Sequence, residues 1–399
     1  MSRCPACVEG GGRVELAGIF RSCGARFREK HRLARCQLRA MRAIERCRTP
    51  ALGGHRLQCD TCGSVRVVYN SCRNRHCPKC QTLAKERWLA ARRQELLPVD
   101  YFHLVFTLPH ELNSLAQAHP RILYDLLFHC ASETLGCFAS DRLGGEMGIT
   151  AVLHTWGRNL SQHIHLHYLV TGGALSSDRQ RWVAAGGHFL FPVQALSKVF
   201  RGKLLQQLRD HQARGELPAG SGEEEPGVFR ALLRKLRGKD WVVYCKPPLA
   251  GPEQVLEYLA RYTHRTALSN DRIVRFDGER VWFRWMDYRN GGRVKVMVLE
   301  AEEFIRRFLL HVLPDGYIRI RHYGLLANRA RAGKLRLCRA LMGLPPPSPK
   351  VKESVQETML RLTGEDIEQC PVCGVGRLRS VLAIAPQAAV HSVAILDSS

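Results

Sequence analysis

The sequence predicts an α+β protein with a cysteine-rich module in its N-terminal part. Two Cys-x-x-Cys pairs lie close together between Cys59 and Cys80, which indicates a small metal-stabilised module. Beyond Tyr101, short β-like runs such as HLVFTL and HIHLHYLV alternate with helical stretches such as VQALSKVFRGKLLQQLRDH. That mixture is typical of an α+β domain.

The charge balance indicates an acidic partner. The 399 residues include 60 Lys and Arg against 36 Asp and Glu, which gives a net charge of +24. A nucleic-acid backbone is the commonest partner for such an excess. An anionic membrane is the rival, but the sequence has neither a basic amphipathic helix nor a lipidation signal. We also read no signal peptide and no apolar run of the roughly 18 residues that a transmembrane helix needs, so we expect no membrane association.

Composition divides the chain into four predicted segments. Residues 1–30 are an N-terminal extension, and residues 31–98 are a zinc-binding, DNA-binding domain whose last helix ends at Pro98. Residues 99–345 are the α+β domain, and residues 346–399 are a linker and tail. Each end of the chain has a further Cys-x-x-Cys pair, Cys4/Cys7 and Cys370/Cys373, to which the sequence assigns no role.

The central cysteines predict a structural zinc site. The chain has 16 cysteines and no export signal, which favours metal binding in a reducing compartment over disulfides. The pairs Cys59/Cys62 and Cys77/Cys80 have the two-residue gaps that let four thiolates surround one tetrahedral zinc ion. Cys72 and His76 are candidates to replace one of these ligands or to bind a second ion. The alternative is a set of reduced structural cysteines without metal.

Histidines at alternate positions predict a second metal site. His163, His165 and His167 share one face if HIHLHYLV is a β-strand. The run GITAVLHTW can fold back on this strand through GRNLSQ, which would place His154 opposite His165. His165 and His167 are the main candidate ligands, and either His154 or His163 could be the third. The alternative is that some of these histidines are ordinary polar-face residues.

Two tyrosines are candidate nucleophiles. Tyr258 and Tyr262 are four residues apart in EQVLEYLARYTHR, so on a helix both hydroxyls would project from one face. A phenol has a reference pKa of about 10, so it attacks phosphorus only with help from a metal-polarised phosphate or a nearby base. Two tyrosines at this spacing more often pack in a core. A catalytic function is favoured here because a histidine strand is present in the same basic protein.

Together these features resemble the HUH endonuclease superfamily, and more closely the two-tyrosine rolling-circle insertion-sequence transposases of the IS91 type. The resemblance covers roughly residues 28–344 and rests on NSCRNRHCPKCQ, LHTWGRNLSQHIHLHYLVTGGAL, YLARYTHR and RHYGLL. The His-hydrophobe-His motif maps to His165, Leu166 and His167, and the paired nucleophiles map to Tyr258 and Tyr262. The family zinc module maps to the segment from Cys59 to Cys80.

The resemblance implies both a fold and an activity. The fold is an N-terminal zinc module followed by an HUH-endonuclease-like domain, whose central antiparallel sheet is flanked by helices and carries the histidines. The activity is nicking and rejoining of DNA at insertion-sequence ends through 5′-phosphotyrosine links, with structural Zn²⁺ and catalytic Mg²⁺ or Mn²⁺. The implied partners are single-stranded DNA and element-end hairpins, and the implied location is the bacterial cytoplasm, associated with the nucleoid.

Two other interpretations remain at this point. A rolling-circle replication initiator or a relaxase would use the same chemistry in another biological setting. A zinc-dependent DNA-binding regulator would have inert histidines and tyrosines. Nicking of a single-stranded oligonucleotide would separate the regulator from the enzymes.

Overall fold

The structure is a computed structural model that describes residues 13–186, 190–217, 226–246, 254–255, 258, 266–287, 291–346 and 353–387. The helices within these ranges are α1 (Leu16–Lys30), α2 (Arg35–Arg46), α3 (Gln81–Arg93), α4 (Asn113–Ala118), α5 (Pro120–Leu143), α6 (Val193–Ala213), α7 (Pro226–Arg237), α8 (Ala301–Leu309), α9 (Arg331–Leu341) and α10 (Val355–Thr363). None of the helices described is long and apolar enough to cross a membrane.

The strands form three antiparallel sheets in the described part of the chain. The strands of the largest sheet are β3 (Tyr101–Thr107), β4 (Gly145–Trp156), β5 (Gln162–Ser176), β6 (Trp182–Ala184), β7 (Val243–Cys245) and β11 (Ile320–Gly324). They lie in the order β11-β4-β5-β3-β7, with β6 also paired to β5. The smaller sheets contain β1 (Gly54–Cys59), β2 (Val65–Tyr69) and β12 (Leu378–Ile384), and β8 (Ile273–Phe276), β9 (Arg280–Asp287) and β10 (Arg293–Glu300).

One face of the large sheet packs against helices and forms the main core. Alternate residues of β3 and β5, among them Phe106, Leu166 and Tyr168, are buried in one cluster with residues of α5 and α6. The long helix α5 begins with Pro120 in its first turn and ends at Leu143, and Gly144, whose φ of 58° is left-handed, caps it. Because side chains alternate along a strand, the histidines of β5 must point to the opposite face.

The turn between β4 and β5 fixes the register of this hairpin. The Asn159 carboxamide oxygen accepts hydrogen bonds from the backbone N–H and the hydroxyl of Ser161. Leu160 has a φ of 62° and its side chain is fully buried in a neighbouring core cluster. With the turn held in this way, His154 pairs with His165, as the sequence predicted.

The N-terminal helix α1 packs against elements distant in the sequence as well as against α2. Phe20 contacts Phe308 of α8 edge to face with ring centroids 5.5 Å apart, and both rings are buried. The backbone N–H of Leu16 donates to the Asn270 side chain over 3.1 Å. The helix therefore belongs to the core that covers the β8-β9-β10 sheet.

Strands from the N-terminal and C-terminal parts of the chain pair in the β2-β1-β12 sheet. Strand β1 lies between β2, its hairpin partner, and β12, which follows about 300 residues later in the sequence. Six residues of β1 pair with β12, from Gly54 with Ile384 to Cys59 with Leu378. The C-terminal segment is thus part of the cysteine-rich module in three dimensions.

The predicted fold class is confirmed. A cysteine-rich module precedes a domain with a central antiparallel sheet flanked by helices. The three boundaries between the four segments stay predictions, although α1 and β12 both make contacts across them.

We predict that Phe20→Ala lowers the free energy of unfolding by about 3–5 kcal/mol, because it leaves a cavity beside Phe308. Glu29→Ala is the matched control, since Glu29 is exposed on the same helix, and we expect a change within about 0.5 kcal/mol. Denaturant unfolding measures both. Equal stability of the two variants would show that α1 does not pack against α8.

Candidate functional site

Three histidines come together on the face of the large sheet opposite α5 and α6. The ligand nitrogens of His154, His165 and His167 all lie within 4.8 Å of one another. The Nε2 atoms of His165 and His167 are 3.1 Å apart. Two nitrogens bound about 2 Å from one ion, at about a right angle, lie about 3 Å apart. This donor set therefore fits a divalent cation.

The hydrogen bonding of His165 suits a metal ligand. Its Nδ1 lies 2.9 Å from the backbone carbonyl of His163, which can only accept a hydrogen bond. Nδ1 therefore has the proton, and the lone pair of Nε2 is directed into the cluster. Burial lowers the pKa of His165 to about 3, so the ring is neutral at neutral pH, as a ligand must be.

His163 and His154 differ in their relation to this cluster. His163 is exposed, and its ring centroid is 4.8 Å from that of His165. His154 is buried and stacks on Trp156 with ring centroids 4.6 Å apart. Geometry thus places His154 with His165 and His167, and it leaves His163 outside the compact group of ligand atoms.

His103 on β3 is a site residue that the sequence interpretation missed. It is buried, and its Nε2 lies 3.0 Å from Nδ1 of His167. Burial, with the charge of Lys246 next, lowers the pKa of His103 to about 3, so this ring is neutral as well. The unprotonated Nε2 of neutral His103 can accept a hydrogen bond from Nδ1–H of His167. Nε2 of His167 then has its lone pair available as a metal ligand. The signal in the sequence was that His103 is the single histidine in the otherwise apolar run YFHLVF.

Tyr258 lies against the histidine cluster. Its hydroxyl is 3.4 Å from Nδ1 of His167, and its ring centroid is 4.4 Å from that of His103. Tyr258 and Val255 have helical backbone, and Val255 is fully buried beside Tyr101 and Leu169. Tyr262, the second predicted nucleophile, lies outside the residues that the structure describes.

The histidines and the loops around them enclose a cleft of about 580 Å³. Basic and aromatic side chains line it beside the histidines, a combination that suits single-stranded nucleic acid. These side chains are Trp156, Arg158, Tyr244, Lys246, Arg272 and Trp285. A second cleft, of about 620 Å³, is lined by Tyr323 and Lys334 and contains none of the clustered histidines.

The cysteines group differently from the sequence prediction. Cys59, Cys62, Cys77 and Cys80 do not form one set of ligands. Cys77 and Cys80 join Cys47 and Cys72, whereas Cys59 and Cys62 join Cys370 and Cys373, with the sulfur atoms of each group within 4.8 Å of one another.

The length of the β1-β2 hairpin explains this correction. Cys59 and Cys62 lie at the tip of the hairpin, while Cys47 and Cys72 flank its base, where the Arg48 N–H donates to the Asn70 carbonyl. Six strand residues span about 20 Å. Ligands at the tip therefore cannot reach the ion that the cysteines at the base would bind.

The two auxiliary zinc candidates have different positions. Cys72 lies in the group at the hairpin base, with its sulfur 3.6 Å from that of Cys80. His76 lies outside both cysteine groups, and its Nε2 accepts a hydrogen bond from the backbone N–H of Leu313 over 3.4 Å. Cys47 was missed because it has no partner at a two-residue gap.

Comparison with known proteins finds transposases and transposase domains. Residues 148–333 match a family model described as "Putative transposase", and residues 19–108 match one described as "Transposase zinc-binding domain". "Putative transposase y4qJ" of Sinorhizobium fredii (strain NBRC 101917 / NGR234) is 49% identical over 376 residues, which span 92% of this chain and 94% of the relative. The chain belongs to the IS91 family of transposases. "Transposase for insertion sequence element IS801" of Pseudomonas savastanoi pv. phaseolicola is 28% identical over 348 residues, which span 82% of this chain and 80% of that protein.

Membership of the IS91 family confirms the predicted resemblance and makes DNA the partner of this transposase. It favours the transposase interpretation over a replication initiator and over a regulator without catalysis. The zinc-binding domain match includes Cys47 and the central cysteines. Neither matched segment of the transposase extends to Cys370 or Cys373.

We predict that His154→Ala weakens Mn²⁺ binding by at least about tenfold, because it removes a nitrogen from the compact ligand group. His163→Ala is the matched control on the neighbouring strand, and we expect its affinity to change by less than about threefold. Isothermal titration calorimetry with MnCl₂ measures both. A larger loss in His163→Ala than in His154→Ala would reverse the assignment of the third ligand.

Proposed function

We propose that this transposase nicks and rejoins single-stranded DNA at insertion-sequence ends, through 5′-phosphotyrosine intermediates, in rolling-circle transposition. The observation that supports this most directly is the position of Tyr258. Its hydroxyl is 3.4 Å from Nδ1 of His167, so a candidate nucleophile lies beside a candidate metal cluster, and the histidines of that cluster line the cleft.

The histidine cluster would bind the divalent ion. His165 and His167 are the proposed main ligands, and His154 is the proposed third. When bound, Mg²⁺ or Mn²⁺ would polarise the scissile phosphate and stabilise its developing charge. Imidazole ligands favour Mn²⁺ over Mg²⁺. His103 would act through His167, by accepting its Nδ1–H and so fixing the orientation of the ring.

The chemical step uses the phenol oxygen of Tyr258. This oxygen attacks the scissile phosphorus, a P–O bond forms, and the bond from phosphorus to the 3′ oxygen breaks. The phenol gives up its proton and the leaving 3′ oxygen takes one up, so the products are a 5′-phosphotyrosine and a free 3′-OH. Attack by a 3′-OH reverses the step and releases the tyrosine. A second cleavage in the cycle would use Tyr262.

The cleft would hold the DNA strand. Arg158, Lys246 and Arg272 supply positive charge for the phosphates, and Trp156 and Trp285 supply faces on which bases can stack. An unpaired strand exposes both its bases and its phosphates to such a surface, whereas a duplex hides its base faces. Single-stranded element ends, and hairpins with unpaired segments, are therefore the proposed substrates.

The cysteine group at the hairpin base would bind structural zinc. Cys47 and Cys77 are buried, and the sulfur of Cys80 lies 3.5 Å from Cys47 and 3.6 Å from Cys72. Four thiolates complete a tetrahedral zinc shell and leave no open position for catalysis. This ion would hold the base of the hairpin against the start of α3, since Cys80 directly precedes that helix.

We predict that the double variant Tyr258→Phe, Tyr262→Phe folds and binds DNA but forms no covalent adduct, because it loses both nucleophilic oxygens and little else. Each single variant should retain some adduct formation and lose full transposition. The measurement is incubation with a single-stranded element-end oligonucleotide and Mn²⁺, followed by denaturing electrophoresis.

Tyr124→Phe is the matched control for this experiment. Tyr124 is buried in the main core on α5, away from the cleft, so its variant should form wild-type amounts of adduct. A persistent adduct in the double tyrosine variant would place the nucleophile elsewhere, and Tyr323 would be tested next.

We predict that His165→Ala and His167→Ala lose nicking in the same assay yet keep their affinity for DNA, since Lys and Arg contacts supply most of that affinity.

We predict that Cys72→Ser removes one equivalent of zinc per chain, whereas His76→Ala leaves the zinc content unchanged. Only Cys72 lies within the sulfur group at the hairpin base. Elemental analysis of purified protein measures both. Loss of zinc in His76→Ala with full retention in Cys72→Ser would exchange the roles of these two residues.

A further inference from the structure

The structure places the last Cys-x-x-Cys pair of the chain against the tip of the β1-β2 hairpin. We propose that Cys59, Cys62, Cys370 and Cys373 bind a second structural zinc ion, which fastens the C-terminal segment to the zinc-binding module. This site is separate from the sulfur group at the hairpin base, and it does not depend on the proposed nicking chemistry.

The distances between sulfurs fit zinc and exclude disulfides. The sulfur of Cys59 is 3.8 Å from that of Cys373, and the sulfur of Cys62 is 3.7 Å from that of Cys370. A disulfide has sulfurs about 2.05 Å apart. Two thiolates on one tetrahedral zinc ion, each about 2.3 Å from the metal, lie about 3.8 Å apart.

The two pairs have the same backbone fold. Each pair is followed by a glycine with left-handed φ, 71° at Gly63 and 68° at Gly374. The N–H of Gly63 donates to the Cys59 carbonyl over 3.2 Å, and that of Gly374 donates to the Cys370 carbonyl over 2.9 Å. Both pairs are therefore tight knuckles that direct two sulfurs to one point, and they face each other.

Backbone N–H groups point at the sulfurs of both knuckles. The N–H groups of Thr61 and Cys62 each lie 3.4 Å from the sulfur of Cys59. The N–H of Gly376 lies 3.3 Å from the sulfur of Cys373. Such donors stabilise thiolates, the form of cysteine that binds zinc, and they orient the ligands as second-shell groups do.

Close backbone contact joins the knuckles. The Asp60 N–H donates to the Arg377 carbonyl over 3.0 Å, and the Arg377 N–H donates to the Asp60 carboxylate over 2.8 Å. A Cβ atom on Gly376 would fall 2.4 Å from the sulfur of Cys59, so only glycine permits this approach. Strand β12 continues from the second knuckle into its pairing with β1.

The sheet around these knuckles has little core of its own. Its buried cluster in the described chain consists of Cys59, Cys370 and Leu378, with Leu57 and Cys373 packed against it. Exposed valines on β2, Val65 and Val67, add nothing to that core. So small an apolar cluster needs a further constraint to stay folded, and a metal ion supplies one.

The test measures zinc in the full-length protein by inductively coupled plasma mass spectrometry. The double variant Cys370→Ser, Cys373→Ser should contain one zinc ion per chain fewer than wild type. Cys36→Ser, Cys137→Ser is the matched control, because neither residue belongs to a cysteine group, and its zinc content should equal that of wild type. An unchanged zinc content in the first variant would overturn the proposal.

A second measurement needs no variant and so does not depend on folding of a mutant. Cys62 and Cys137 are both exposed thiols. In zinc-loaded wild type, N-ethylmaleimide should modify Cys137 at least about tenfold faster than Cys62, and a chelator should remove the difference. Equal modification rates before chelation would overturn the proposal, whether or not the protein nicks DNA.

Discussion

Antiparallel pairing of β4 with β5 is the constraint on which the candidate site depends. It sets His154 opposite His165, and the turn at Asn159 and Leu160 fixes it. The period of two along β5 then assigns Leu166 and Tyr168 to the helix-covered core and the histidines to the cleft. A one-residue shift in the register of β5 would bury the histidines under α5 and turn Leu166 and Tyr168 toward the cleft. Folding of the sheet and assembly of the histidine cluster are therefore one event.

Local patterns were enough to predict the fold class and the partners His154 and His165. The period of two shows which side chains share a face of a strand, and the length of a short connection sets the register of a hairpin. Both signals lie within one stretch of sequence. His103 could not be predicted in the same way. It reaches His167 from β3, about 60 residues earlier, and no spacing rule connects strands that become neighbours only in the finished sheet. The position of Tyr258 against His167 is a contact of the same kind.

The cysteines show how sequence proximity can mislead. Two Cys-x-x-Cys pairs separated by a short segment suggest one four-sulfur site, and this would hold if the segment were a loop. It instead contains strand β2, whose length separates the tip of the β1-β2 hairpin from its base. Each pair then completes its group with sulfurs from elsewhere. Cys47 comes from the end of α2, and Cys370 comes from the other end of the chain.

The position of β1 between β2 and β12 has a consequence for synthesis on the ribosome. Cys59 leaves the ribosome together with β2, but its neighbours Cys370 and β12 follow about 300 residues later. At about 5–20 residues per second, one edge of β1 stays unpaired for roughly 15–60 s. During that interval the hairpin tip presents a free strand edge and two unshielded thiols to the cell. A chain truncated before Leu378 would retain that edge permanently, so incomplete copies of the gene would yield proteins prone to aggregation or degradation.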